Sequence, residues 1–141
     1  MELKINAEEM TGFLDEVFPQ VRGMFGIDRM DETLLVMRLF NDDKHLRPGG
    51  TVSGPAMFSL ADVAAYVATM GFVGKEALAV TTHCSIDFMR KPVAGVDLLA
   101  EARVLKLGRA LSVTDVLLFS EGTTQPVAHA SLTYSIPPTR A

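Results

Sequence analysis

Asp62 is the only charged residue between positions 53 and 72, the longest segment of the chain that otherwise carries no charge. In a helix buried on nearly every side, such a carboxylate must be hydrogen-bonded, protonated or put to work. Gly54 stands eight residues earlier, between Ser53 and Pro55. An amide at a helix start has no partner within the helix and sits at the positive end of its dipole. It therefore suits a carbonyl oxygen that gains negative charge during a reaction. Pro55 has no N–H, so a second donor must come from elsewhere. Where it is put to work, a carboxylate such as Asp62 can serve as a general base or nucleophile. Eight residues of helix span about 12 Å at 1.5 Å per residue, so Gly54 and its own Asp62 are too distant to meet at one carbonyl.

The elements around these residues follow from local chemistry. Ser53 suits a helix cap, Pro55 tolerates the first turn, and Gly71 and Gly74 supply stops. The segment is rich in Ala and poor in β-branched residues, which favours a helix of about 17 residues, roughly 25 Å long. A membrane span of that length is rejected, because Asp62, Pro55, Ser59 and Thr69 would lie in hydrocarbon and the later strands need a helix to cover. Residues 8–25 have helical apolar spacing interrupted near Pro19, which predicts a lid or edge helix. Residues 33–40 read as a first strand, and 44–52 as a polar loop containing Pro48-Gly49-Gly50. Runs at 77–89, 96–107, 111–120 and 127–136 read as four further strands, with short connections that predict hairpins and an antiparallel sheet. The fold expected is α+β, one domain over 1–141, with the sheet wrapped around the long helix and an additional N-terminal helix. Val116-Leu117-Leu118-Phe119 is apolar on both faces, which favours pairing with another copy.

Composition excludes several classes. A length of 141 residues buries a core without disulfides, and a single cysteine, Cys84, forms no internal bridge and fits a reducing compartment. The N-terminal residues lack a basic, apolar leader, which suggests a cytoplasmic protein. A net charge of −4 without a Lys/Arg cluster argues against nucleic acid. Cys84, His45, His83 and His129 show no zinc spacing, so neither a metal nor a cofactor is expected.

Three stretches carry a family resemblance: Arg47-Pro48-Gly49-Gly50-Thr51-Val52-Ser53-Gly54-Pro55, Phe58-Ser59-Leu60-Ala61-Asp62, and Ile86-Asp87-Phe88-Met89-Arg90-Lys91-Pro92. Together they resemble the PaaI-like acyl-CoA thioesterases of the hot-dog fold, over residues 30–136, with Gly108-Arg109 at a turn where that family often has the same pair. The family's usual His-Gly-Gly is Ser53-Gly54-Pro55 here, its Asn falls on Arg47, and its catalytic Asp on Asp62. The resemblance implies hydrolysis of an acyl-CoA to free acid and CoA, in a homodimer or dimer of dimers. Two antiparallel helices would then bring Gly54 of one subunit near Asp62 of the other. It implies that Thr81 orients the water and that Arg47 contacts the carboxylate or a CoA phosphate. Arg90, Lys91 and Arg109 become candidates for the phosphates, although such cations also serve as a plain solvated rim. Tyr66 shapes the acyl pocket in this reading, His83 lines the face of Thr81, and Ser53 caps the helix beside the substrate. Three rivals stand beside hydrolysis: an acyl-CoA binding or sensing protein without turnover, an enoyl-CoA hydratase-like hot-dog protein, and a structural oligomerisation domain.

Overall fold

The computed structural model describes residues 1–138. The Asn6 side chain accepts the Glu9 N–H (2.8 Å) and starts a helix at Ala7–Val17 (α1), which buries Met10 and Leu14. Phe18 leaves helical geometry (φ −132°, ψ 59°) because the following Pro19 disfavours it, and a single 3₁₀ turn covers Pro19–Val21. The helix expected to continue to Phe25 therefore stops at Val17. Gly23 turns the chain at φ 80°, and Phe25–Met30 becomes a strand (β1) paired antiparallel with Leu35–Leu39 (β2). The helical spacing of Val21, Met24 and Phe25 is coincidental, since a glycine at positive φ interrupts it.

The segment carrying Asp62 forms the helix Gly54–Val73 (α2), with fourteen of its twenty residues buried. Ser53 is extended, and its Oγ accepts the Ala56 N–H (3.2 Å). Gly74, at φ 103°, ends the helix and donates to Met70 O (2.8 Å). Gly71 is no stop but a contact: a Cβ there would lie 2.7 Å from Met30 Cε and 3.1 Å from Leu3 Cδ2, while Gly71 O accepts the Lys4 N–H (2.7 Å). Length and apolarity alone would let α2 cross a membrane, but here the sheet buries it.

Val80–Phe88 (β3), Leu98–Leu107 (β4), Leu111–Ser120 (β5) and Ala128–Ser135 (β6) complete an antiparallel sheet in the order β1-β2-β4-β5-β6-β3, the hot-dog arrangement around α2. Alternation selects the inner face: Met37, Leu98, Ala100, Val116, Leu118, Ala130 and Leu132 are buried against the helix. Among the described residues, strand β3 pairs only with β6, which leaves its other edge open, and Val80 and Phe88 on it are exposed. On the outer face of the sheet, Asp115 on β5 and His129 on β6 pair across the two strands (2.5 Å).

The far edge is fastened by Arg38 on β2. Its guanidinium contacts Asp28 (2.8 Å), Asp97 (2.9 Å) and Glu121 (2.6 Å), joining β1, the turn before β4 and the turn after β5. Asp28, then Asp97 and Glu121, hold the guanidinium charged and push its pKa up. Burial pushes the Asp97 carboxyl up, but the Asn41 N–H (2.7 Å) and Arg38 outweigh it, and the net shift is downward. A depressed carboxyl stabilises the fold above its unfolded pKa, about 3.9, and that contribution disappears as pH falls through the folded value. Arg38→Met leaves three carboxylates facing one another and should lower unfolding free energy by about 1–3 kcal/mol, less than a fully buried pair would because all four groups are partly exposed. Urea denaturation at pH 7 and pH 3 checks this, with a smaller deficit expected in acid.

Candidate functional site

Asp62 lies in the third turn of α2 and is half-buried. Its Oδ1 accepts hydrogen bonds from Thr81 Oγ1 (2.5 Å) on β3 and Tyr134 Oη (2.7 Å) on β6. Thr81 and Tyr134 are register partners, so strand pairing delivers both hydroxyls to one oxygen. Tyr134 Oη also lies 2.9 Å from the main-chain oxygen of Asp62. Oδ2 has no hydrogen-bond partner among the described residues and is not a fully buried atom, so it remains open to the adjoining space. Burial, then the Asp62 charge, pushes the Tyr134 phenol well above its ordinary range, so it stays a donor. The same two causes push the Cys84 thiol up, which keeps it protonated and weakly nucleophilic.

One turn after Asp62, Tyr66 donates to Ala77 O (2.7 Å) and stacks on Tyr134 with centroids 5.9 Å apart. Phe18, thrown off the end of α1 by Pro19, meets Tyr66 edge-on at 6.4 Å. Asp62, Thr81 and Tyr134 form the polar wall of a cavity of about 330 Å³, and Phe18, Val63 and Tyr66 its apolar wall.

A second cavity, about 350 Å³, opens at the start of α2 and is bordered by Arg47, Gly54, Phe88, Arg90 and Lys91. The Gly54 N–H has no hydrogen-bond partner among the described residues, as expected of the first helical position. Arg47 is exposed at the tip of a tight hairpin in which Leu46 bridges Val52. Arg90 is held by Pro126 O (2.9 Å) and Gln125 Oε1 (2.5 Å), and Lys91 is exposed.

Thus Asp62, Thr81 and Tyr66 come together at one cavity, and Gly54, Arg47, Arg90 and Lys91 at another. Ser53 is occupied as the helix cap. His83 does not share the face of Thr81. A bulge between Thr81 and His83 shifts the alternation, so Thr81 pairs with inward Tyr134, whereas His83 pairs with Thr133, is exposed and faces out. Arg109 stands at the β4–β5 turn, where Val80 and Leu111 flank Ser135. That end is separated from Arg90 and Lys91 by the length of β3, roughly 26 Å at 3.3 Å per residue. Tyr134 and Phe18 are absent from the sequence-based set. The pattern Ala128, Ala130, Leu132, Tyr134 does place a hydroxyl on the inner face of β6, but only the pairing of β6 with β3 sets it opposite Thr81.

Residues 49–127 match the model of the thioesterase superfamily. A candidate thioesterase from Silicibacter sp. is 56% identical over 98% of this chain and 96% of its own, with a TM-score of 0.92. A mutant of the phenylacetic acid degradation protein PaaI from Thermus thermophilus is 25% identical over 84% of this chain and 99% of its own, with a TM-score of 0.71. Thioesterase superfamily member 2 of zebrafish, 21% identical, covers 95% of this chain and 100% of its own at a TM-score of 0.83, a likeness of fold. No curated protein matches the sequence.

Because Thr81 and Tyr134 donate to the same oxygen, their contributions to stability should be coupled. Thr81→Val and Tyr134→Phe are each expected to cost about 1–2 kcal/mol, and the double variant to depart from additivity by about 0.5 kcal/mol or more. Urea denaturation of the four proteins measures this, and strict additivity would separate the two hydroxyls.

Proposed function

The chain belongs to the thioesterase superfamily, with the hot-dog fold of its PaaI-like members, and from that membership we propose that it hydrolyses an acyl-CoA thioester at a site shared by two subunits. The observation that carries this reading is the state of Asp62: Oδ1 is tied down by two hydroxyls, and Oδ2 is left free at a cavity wall. A carboxylate so oriented is preorganised to take a proton from water.

In this reading a water rests between Asp62 Oδ2 and Thr81 Oγ1, whose own proton is committed to Oδ1 and whose lone pairs accept the water's second hydrogen. The water oxygen adds to the thioester carbonyl carbon as its proton passes to Oδ2. The carbonyl oxygen becomes negative and is met by the unpaired N–H of Gly54 of the partner subunit. Collapse of the tetrahedral adduct breaks the C–S bond, and the departing sulfur takes the proton from Asp62, giving free acid and CoA. The acyl group occupies the side walled by Phe18 and Tyr66, which suits a small to medium chain. Arg47, Arg90 and Lys91 border the Gly54 side and suit the CoA phosphates.

Two features support a shared site. Gly54 and Asp62 lie on one helix about 12 Å apart, so neither cavity holds both groups. Strand β3 has an open edge with exposed Val80 and Phe88, which an antiparallel copy would cover. Such a copy also reverses β3, so that Arg109 of the partner subunit comes to the end that carries Arg90 and Lys91.

Asp62→Asn is expected to lower thiol release from a panel of aliphatic and aromatic acyl-CoAs by at least a hundredfold while preserving oligomer size and binding of the CoA ester. An unaltered rate removes Asp62 from the mechanism. If the unmodified protein binds these esters but releases no thiol from any, it is an acyl-CoA binding protein; hydration of an enoyl-CoA would instead favour the hydratase.

A further inference from the structure

The start of α2 offers a substrate carbonyl a single main-chain donor. Gly54 N–H is free, Pro55 has none, Ala56 N–H is taken by Ser53 Oγ, and Met57 N–H by Ser53 O (3.0 Å). A developing oxyanion is usually met by more than one donor, and the Ser53 hydroxyl already serves the helix. Thr51 stands in the wall of the same cavity as Gly54. It is 7% exposed, and its Oγ1 is fully buried with no hydrogen-bond partner among the described residues. We infer that the Thr51 hydroxyl, turned about χ1 from its buried position into this cavity, is the second donor to the thioester carbonyl, acting beside Gly54 N–H; this rests on the hydrolase reading above.

The local fold fixes Thr51 there by its main chain alone. Arg47 N–H donates to Thr51 O (2.9 Å), Gly50 N–H to Arg47 O (3.0 Å), and the bridge between Leu46 and Val52 closes the hairpin. Gly49 and Gly50, at φ 105° and 86°, make the tight turn that returns the chain to the helix start. None of these bonds uses the side chain. A buried hydroxyl without a partner is unfavourable in the free protein, and such a group persists where a ligand or reaction supplies the missing partner. Thr114 is a useful contrast: its Oγ1 is also buried and unpartnered, but it lies on the inner face of β5 beneath the helix and lines neither of the two site cavities. Thr51 is the orphan hydroxyl that shares a cavity with the free amide. Arg47, on the same hairpin, is exposed to solvent and leaves the Thr51 hydroxyl unpartnered.

The test compares Thr51→Val, which keeps the shape and removes the hydroxyl, with Thr51→Ser, which keeps the hydroxyl. On the acyl-CoA that the unmodified protein hydrolyses fastest, Thr51→Val should lower kcat about a hundredfold with KM within about threefold, and Thr51→Ser should recover most of that loss. Thermal unfolding without substrate should show Thr51→Val no less stable than the unmodified protein, because it removes an unpaired group. An unchanged kcat in Thr51→Val overturns the inference and leaves the hydrolase reading intact. A joint fall in kcat and melting temperature that serine does not rescue assigns Thr51 to packing and overturns it too. No turnover by the unmodified protein on any acyl-CoA overturns both.

Discussion

A helix of twenty residues enclosed by a sheet sets the terms for everything else in this molecule. Its axial rise holds the free amide of Gly54 and the carboxylate of Asp62 about 12 Å apart, and close packing on the inner sheet face prevents the helix from bending to bring them together. One chain therefore presents two separate cavities. One is walled by a carboxylate with an ordered oxygen and an open oxygen; the other is bordered by cations and by an amide unpaired among the described residues.

The polar groups in the core are arranged so that the helix can stay apolar elsewhere. Thr69 Oγ1 donates to Ser112 Oγ (3.0 Å) at a fully buried contact between α2 and β5, which satisfies both hydroxyls where no water reaches. Asp62 is served by Thr81 and Tyr134 from two adjacent strands, and Tyr134 is in turn stacked on Tyr66, so the carboxylate's orientation is inherited from the sheet register. The aromatic contact continues to Phe18, which links the end of α1 to the same wall. The chain before the helix thereby shapes the space next to the carboxylate, although it lies outside the part that matches the family model.

Local chemistry made much of this readable in advance. Ser53, Pro55 and Gly74 mark the helix limits through capping and backbone freedom, and β5 follows from its turn residues and alternation. Asp62 was visible because a lone charge in an apolar run needs a reason. Three features were not legible, each for a physical cause. Strand β1 is only partly buried and has no clean alternation, so nothing in Phe25–Met30 competes with the helical spacing before it. His83 lies on the face opposite to Thr81 because of a bulge, which depends on the partner strand and leaves no local mark in the sequence. Tyr134 is separated from Asp62 by seventy-two residues, and only the sheet order joins them.

The central claim is that a complete site takes Asp62 from one subunit and Gly54 from the other. Gly54→Pro replaces the amide hydrogen with a ring that the backbone tolerates, since Ser53 is already extended (φ −76°, ψ 158°), the first helical position accepts proline, and a Cβ there would meet Phe88 Cζ at an ordinary 3.6 Å. Paired with Asp62→Asn in one preparation that is unfolded and refolded together, it gives mixed dimers in which one of two sites is intact. Each variant alone is expected to be nearly inactive, and the mixture to recover about a quarter of the unmodified rate, because half of randomly formed dimers are mixed. A mixture no more active than its two parents would contradict the account.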